Sequence, residues 1–281
     1  KAFIFENVKG LLRKSFSTYF NYILLQLTYP DIVRKDNETW VEHLGHLEKL
    51  HTSGHYNGTK YNVVPRLLNA ADYGVPQIRH RVVIVGFRED LGVEWSFPDG
   101  EYSREALLYS KFVTGEYWDI HKIATKHRSA PPQADLKKAE QFASKYAGYK
   151  DKPRPWKTVR DAIFDLPDPR SNAAIGVPNH EFRPGARSYT GHTGSILDEP
   201  SKTIKAGSHG VPGGENSVVL DDGSVRYYTV RESARIQTFP DDYLFFGSWT
   251  ESMRQIGNAV PVKLAQMVGA SIVKELQRSE K

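Results

Sequence analysis

Short apolar runs alternate with long polar stretches along this chain, and the spacing inside each run predicts its element. Ala2–Val8 begins Ala-Phe-Ile-Phe and closes on Glu-Asn-Val, which reads as a buried strand with a polar carboxyl end. From Gly10 to about Leu27 the apolar residues recur at helical spacings, among them Leu12, Phe16, Tyr19, Ile23 and Leu27. Residues 28–60 are polar and lack a clear period, so an inserted loop with a short helix is expected. Tyr61–Asn69 suits a strand, and Ala71–Pro76 a turn. Arg81–Phe87, Arg-Val-Val-Ile-Val-Gly-Phe, is a β-branched run that predicts another buried strand.

From about Glu89 the character changes. Pro98-Asp99-Gly100, Pro131-Pro132, Pro153 and Pro155 punctuate a basic stretch expected to be loop-rich. Trp156–Leu166 reads as a helix, stopped by Pro167-Asp168-Pro169. Residues 170–222, rich in Gly, Ser, Pro and His, suit short strands and loops. Thr229–Phe239 reads as a helix with Thr229 as N-cap, Glu232 completing a capping box and Pro240 as the stop. Ser252–Gly257 suits a short helix or turn, and Pro261–Leu276 an amphipathic helix. The expected architecture is α/β, in three stretches: 1–88, 89–225 and 226–281.

Composition narrows this only a little. A chain of 281 residues with 39% apolar and 25% charged content can bury a sizeable core. No window approaches the apolar length of a membrane span, so no membrane partner is expected. There is no cysteine, which excludes disulfides, thiolate metal sites and a thiol nucleophile in this chain. His180, His192 and His209 lack metal-ligand spacing; no metal site is expected, and they read as polar surface or nucleic-acid-contact residues. The net charge of +5 hints weakly at a polyanionic partner. Its distribution says more: residues 121–160 hold 11 lysines and arginines against 3 acids. Such an excess suits phosphate contacts, although a solvated helix face has the same composition.

Candidate chemistry lies in four strings. Glu6-Asn7-Val8 puts a carboxylate at a strand terminus, where open α/β sheets gather functional groups. Gln77-Ile78-Arg79-His80-Arg81 alternates into a strand, so Gln77, Arg79 and Arg81 are expected on one face. Arg231-Glu232-Ser233-Ala234-Arg235-Ile236-Gln237 sets two arginines four apart on a helix. Gly257-Asn258-Ala259-Val260-Pro261 leads into the last helix. Taken singly, each string also fits an ordinary strand end, strand face, exposed helix or turn.

In this order, with the basic segment between the second and third, the strings resemble the C-terminal part of a bacterial-type DNA (cytosine-5) methyltransferase. The resemblance spans nearly the whole chain. It implies part of a Rossmann-like S-adenosylmethionine-dependent methyltransferase sheet plus a smaller, loop-rich target-recognition domain at 89–225. Stretch 226–281 would hold a hinge helix and a returning helix of the catalytic domain. Methylation of cytosine C5 requires temporary loss of aromaticity: a thiolate adds at C6, and a carboxyl group faces N3. The resemblance assigns that carboxyl to Glu6, tuned by burial. It assigns Arg79 and Arg81 to gripping O2 of a flipped base and orienting Glu6. Asn258, Ala259 and Val260 would hold the methionine end of S-adenosylmethionine. The segment Leu197–Gly207 resembles the loop that reads DNA, with Lys202, Thr203, Lys205 and Gly207 as contacts. Arg231 and Arg235 would touch the DNA backbone.

Two features depart from that family. The nucleophile's Pro-Cys loop is absent. The chain also opens almost directly on Glu6, leaving no room for a Gly-rich cofactor strand. The expectation is therefore a fragment or subunit, inactive alone. It would act on double-stranded DNA in the bacterial cytoplasm, at the nucleoid, in a restriction-modification system. An N-terminal half or companion subunit would supply the missing parts. A non-catalytic DNA-binding subunit or degenerate homologue is the alternative, and another nucleotide-handling α/β enzyme fits less well.

Overall fold

A computed structural model describes residues 1–190, 193–206 and 216–279. The chain divides into two compact units. The first comprises Lys1–Leu68, His80–Pro98 and Met267–Lys281. Its sheet has three strands: β1 (Ala2–Val8), β2 (Tyr61–Asn69) and β3 (His80–Arg88), in the order β1-β3-β2. The Val-Val-Ile-Val run explains the centre of that order, because Val82, Val83, Ile84 and Val85 are all buried and the strand can hide both faces only between neighbours. β1 runs antiparallel to β3, from Ala2 opposite Phe87 to Val8 opposite Arg81.

The expectation of a buried β1 is corrected by this order. β1 is an edge strand, with Ile4 50%, Phe5 39% and Val8 55% exposed. Successive side chains of a strand point to opposite faces, so Ile4 and Phe5 leave apolar surface open on both. The helix expected from Gly10 starts later. Lys9–Leu12 and Lys14–Phe16 are 3-10 turns, and α1 is Ser17–Thr28. The stretch expected as a loop with a short helix contains the 14-residue α2 (Trp40–Ser53), opened by a Thr39–Glu42 capping box. Its apolar period was masked by histidines. His43 packs inward with its ring 3.0 Å from the Tyr22 hydroxyl, and the exposed His51 lies 2.9 Å from the Tyr29 hydroxyl. Leu25, Tyr29, Leu44 and Leu47 form the buried contact of α1 with α2.

The second unit comprises Asn69–Arg79 and Asp99–Gln266. Its elements are β4 (Tyr102–Ser103), α3 (Arg104–Phe112), α4 (Glu116–Ile120), α5 (Gln133–Lys145), β5 (Arg154–Pro155), α6 (Val159–Ile163), β6 (Ser195–Ile196), β7 (Ser217–Val219), β8 (Val225–Tyr227), α7 (Val230–Ile236) and α8 (Trp249–Asn258). The stretch expected to be loop-rich thus carries three helices, α3 to α5, whose polar faces diluted the period. α6, α7 and α8 each start from a capping box: Thr158–Asp161, Thr229–Glu232 and Ser248–Glu251. The α7 box was legible in advance. Val159, Ile204, Val218, Tyr228, Ile236 and Ile256 share one core. The last helix is α9 (Val262–Ser279). By length and composition, Trp249–Ser279 reaches what a membrane span needs, contrary to the expectation from sequence. In the structure it is two helices broken at Ala259–Pro261, with Leu264, Val268 and Ile272 buried.

The α6 cap gives a pH prediction. Burial pushes the Asp161 carboxyl up, but His121, the Thr158 backbone N–H and Lys157 outweigh it and hold the pKa at about 2, below the ordinary 3.8. A depressed folded-state value stabilises the fold above the ordinary value, and the contribution is lost as pH falls through the folded one. Asp161→Asn should therefore melt lower than the wild type at pH 7. The gap in melting temperature should close between about pH 4 and pH 2, as read by circular dichroism.

Candidate functional site

In the first unit, β1 and β3 bring Glu6 and Arg81 together. Glu6 lies opposite Val83 and Val8 opposite Arg81, so the pair is diagonal on one face of the ladder. Arg81 Nε stands 2.6 Å from Glu6 Oε1, with side chains 11% and 30% exposed. Oε1 is itself buried, so the exposed part of the side chain lies beyond it. The burial expected of Glu6 is only partial, and the Arg81 guanidinium stands against its carboxylate. Burial pulls the Arg81 pKa below its ordinary value, and Glu6 works against that. Arg81 Nη1 donates to His80 O at 2.9 Å, fixing the other end of the fork.

Arg79 has a different post. In the second unit its side chain is 1% exposed, and its guanidinium donates to three carbonyls: Ile204 O at 3.0 Å, Gly257 O at 2.5 Å and Ala259 O at 3.1 Å. Gln77, 0% exposed, accepts from Ile204 N–H at 3.0 Å. Gln237 Nε2 donates to Ile256 O at 2.7 Å, and its backbone carbonyl accepts from Val262 N–H. Three of the strings thus meet in one buried knot around the end of α8. The base-gripping role expected of Arg79 would need its fork free, whereas here both terminal nitrogens, Nη1 and Nη2, donate to backbone carbonyls. Sequence pattern alone does not single out Gln77 and Gln237, although a glutamine two residues before an arginine and another closing a capped helix are visible signals.

The Gly257 turn shows why glycine is needed there. A Cβ would collide with the backbone of Lys205 and Ala206. Of the three expected cofactor residues, Asn258 is exposed, with Ala259 and Val260 half-buried. The Ala259 N–H caps α8 through Gln255 O and Ile256 O. Asn258 therefore offers the outward polar group, and the Ala259 backbone is already engaged.

The expected DNA-reading segment runs beside the Gln77 string. Ser201 N–H donates to Pro76 O, and Ile78 N–H to Ser201 O, both at 2.9 Å. Thr203 Oγ1 donates to Ile78 O at 2.8 Å, which commits its hydroxyl. Lys202 and Lys205 are exposed, with Lys202 Nζ reaching Thr193 Oγ1 at 3.0 Å. Gly207, His192 and His209 lie outside the described residues.

The two helix arginines expected at the DNA backbone are corrected. Arg231 is 1% exposed and donates to Pro178 O, Pro240 O and Tyr243 O. Arg235 is held between Asp165, at 2.5 Å, and Asp241, at 2.7 Å. Its pKa rises mainly through the Asp241 hydrogen bond, so it stays protonated with its charge balanced by the two carboxylates. Both tie the α7 end to its loops. His180 is buried, between Thr229 Oγ1 and Pro167 O, rather than at the surface. Among the described residues no group of three or more His, Cys, Asp or Glu could hold a metal.

In the basic stretch, Arg128, Arg154, Lys157 and Arg160 pair with carboxylates. Lys126, Lys137, Lys138, Lys145, Lys150 and Lys152 are exposed and have no carboxylate partner among the described residues. If the phosphate contacts expected of this stretch hold, reversing the charge of Lys137, Lys138, Lys150 and Lys152 together weakens binding to every DNA sequence and flattens its salt dependence by about three to four units of slope. Fluorescence anisotropy across a salt series reads this.

The family described as C-5 cytosine-specific DNA methylase matches residues 30–274, and the chain belongs to it. Type II methyltransferase M.MthTI of Methanothermobacter thermautotrophicus is 33% identical over 242 residues, covering 77% of this chain and 58% of that protein. M.Eco47II of Escherichia coli is 32% identical, covering 77% and 47%. M.SacI of Streptomyces achromogenes is 30% identical, covering 98% and 60%. The chain thus spans about half to three-fifths of these relatives' length. A crystal structure of S. pombe Dnmt2 methyltransferase aligns over 98% of this chain and 67% of its own, with a TM-score of 0.46 and 15% identity.

Proposed function

We propose that this chain supplies the Glu6 side and the DNA-reading side of a DNA (cytosine-5) methyltransferase of a restriction-modification system. It works on double-stranded DNA with S-adenosylmethionine, in the cytoplasm. The observation that carries the reading is the Glu6–Arg81 pair at the carboxyl end of β1, in a chain of the C-5 cytosine-specific DNA methylase family.

Glu6 faces N3 of a cytosine turned out of the duplex, hydrogen-bonding or protonating it while a thiolate adds at C6. Arg81 orients that carboxyl and grips O2. The thiolate comes from an N-terminal half or companion subunit, since this chain has no cysteine. The open edge of β1, with Ile4, Phe5 and Val8 exposed, is the surface on which the sheet continues into that partner. S-adenosylmethionine supplies the methyl group; Asn258 is the residue here that holds its amino-acid end. Lys202 and Lys205 contact DNA, and the exposed lysines of 121–160 contact phosphates. A non-catalytic DNA-binding role draws on the absent cysteine, and the trap below separates the two. With the cysteine-bearing part present, the protein should become covalently attached to DNA containing 5-fluorocytosine, and Arg81→Ala should cut that yield at least about tenfold. DNA binding with no covalent adduct in the complete protein would leave only the non-catalytic role.

A further inference from the structure

The Ser201–Ala206 segment is held at two places by buried side chains that face no solvent and at a third by a glycine turn. Gln77 and Arg79 take the two backbone groups of Ile204: Oε1 accepts its N–H at 3.0 Å and the guanidinium donates to its carbonyl at 3.0 Å. Asn216 does the same for Lys205. Its Oδ1 accepts Lys205 N–H at 3.0 Å and its Nδ2 donates to Lys205 O at 2.9 Å. Asn216 is 1% exposed, and its own carbonyl accepts from Tyr228 N–H at 3.0 Å, which ties the clasp to the β7–β8 ladder. The Gly257 turn closes the third side, with no room for a Cβ against Lys205 and Ala206. Two consecutive residues, Ile204 and Lys205, therefore have both backbone groups bound by side chains. Side chains of fixed length, buried on this face, hold one register of the segment.

We propose that Asn216 and Arg79 are positioning residues for DNA-sequence discrimination, fixing the height and direction from which Lys202 and Lys205 approach the bases without touching DNA themselves. The inference rests on the DNA-reading role proposed above for this segment. Base-edge contacts specify and phosphate contacts only position, so a loosened frame costs selectivity first. Phosphate contact, carried by exposed lysines elsewhere, stays.

The test is a selection by binding, which is independent of methyl transfer. The full chain is immobilised, a random-sequence duplex library is passed over it, and retained DNA is sequenced. The wild type should enrich a sequence motif. Asn216→Asp sets a carboxylate against Lys205 O and should lower the preference for that motif over its single-base variants about tenfold. Arg79→Lys, too short to serve three carbonyls, should act in the same direction. The salt slope of total DNA affinity should not change in either variant. If N216D fails to fold, Asn216→Ser leaves the clasp unmade without adding charge and takes its place. A merely structural role would lower the melting temperature and leave the motif intact. Folded variants that keep the wild-type preference would overturn the inference, as would a wild type that enriches no motif. Methyl transfer fails or succeeds separately: a chain that selects sequence yet never supports transfer overturns only the proposed enzyme role.

Discussion

Replacing Glu6 by Gln should lower turnover of the methyl-transferring protein by about 10²–10⁴-fold, while DNA affinity stays within about threefold. Gln keeps the size of the side chain and one hydrogen-bonding oxygen. It cannot donate a carboxylic proton to N3, and it loses the charge that holds Arg81 Nε at 2.6 Å. The affinity should survive because the phosphate contacts assigned to the 121–160 lysines do not involve β1. Single-turnover rates with DNA in excess separate the chemical step from binding. A loss below about tenfold would reduce Glu6 to a strand end that happens to pair with an arginine.

Arg79→Ala should unfold the second unit more readily rather than act on the reacting base. Three backbone carbonyls accept from this guanidinium. An orphaned buried acceptor costs roughly 1–3 kcal/mol. Gln237 also stands 3.4 Å from Ala259 O, so that carbonyl keeps part of its satisfaction. The expected loss is therefore about 3–5 kcal/mol, set mainly by Ile204 and Gly257. In a unit of this size that lowers the melting temperature by about 10 °C. Had Arg79 gripped a flipped base with its fork, the same substitution would spare stability and reduce only base capture. Differential scanning calorimetry of the variant separates the two.

The contrast between Arg79 and Arg81 shows where reading a sequence stops. Alternation set Gln77, Arg79 and Arg81 on one face, and that would hold if all three were strand residues. β3 begins at His80, so the periodicity argument has no purchase on Gln77 and Arg79. The strands themselves were legible, because Val-Val-Ile-Val admits few other readings. β1 was assigned correctly as a strand and wrongly as buried, since burial depends on which strand lies beside it. The α7 capping box was readable because it is local: Thr229 and Glu232 are three residues apart. α2 and α5 were missed or shortened because histidines and lysines broke the apolar period. The Asn216–Lys205 clasp joins residues 11 apart through a buried amide, which no local pattern announces. Arg231 and Arg235 show the same limit: spacing placed them on a helix, and only the fold placed carbonyls and carboxylates around them.

The central claim is that Glu6 acts on cytosine with a thiolate that another polypeptide segment provides. The direct test mixes this chain, S-adenosylmethionine labelled in its methyl group and mixed-sequence DNA, with and without the cysteine-bearing N-terminal part. Label should enter cytosine C5 only when that part is present, and the Glu6→Gln chain should then support roughly a hundredth of the wild-type rate or less. Robust incorporation by this chain alone, or an unchanged rate with Glu6→Gln in the complete protein, would contradict the account.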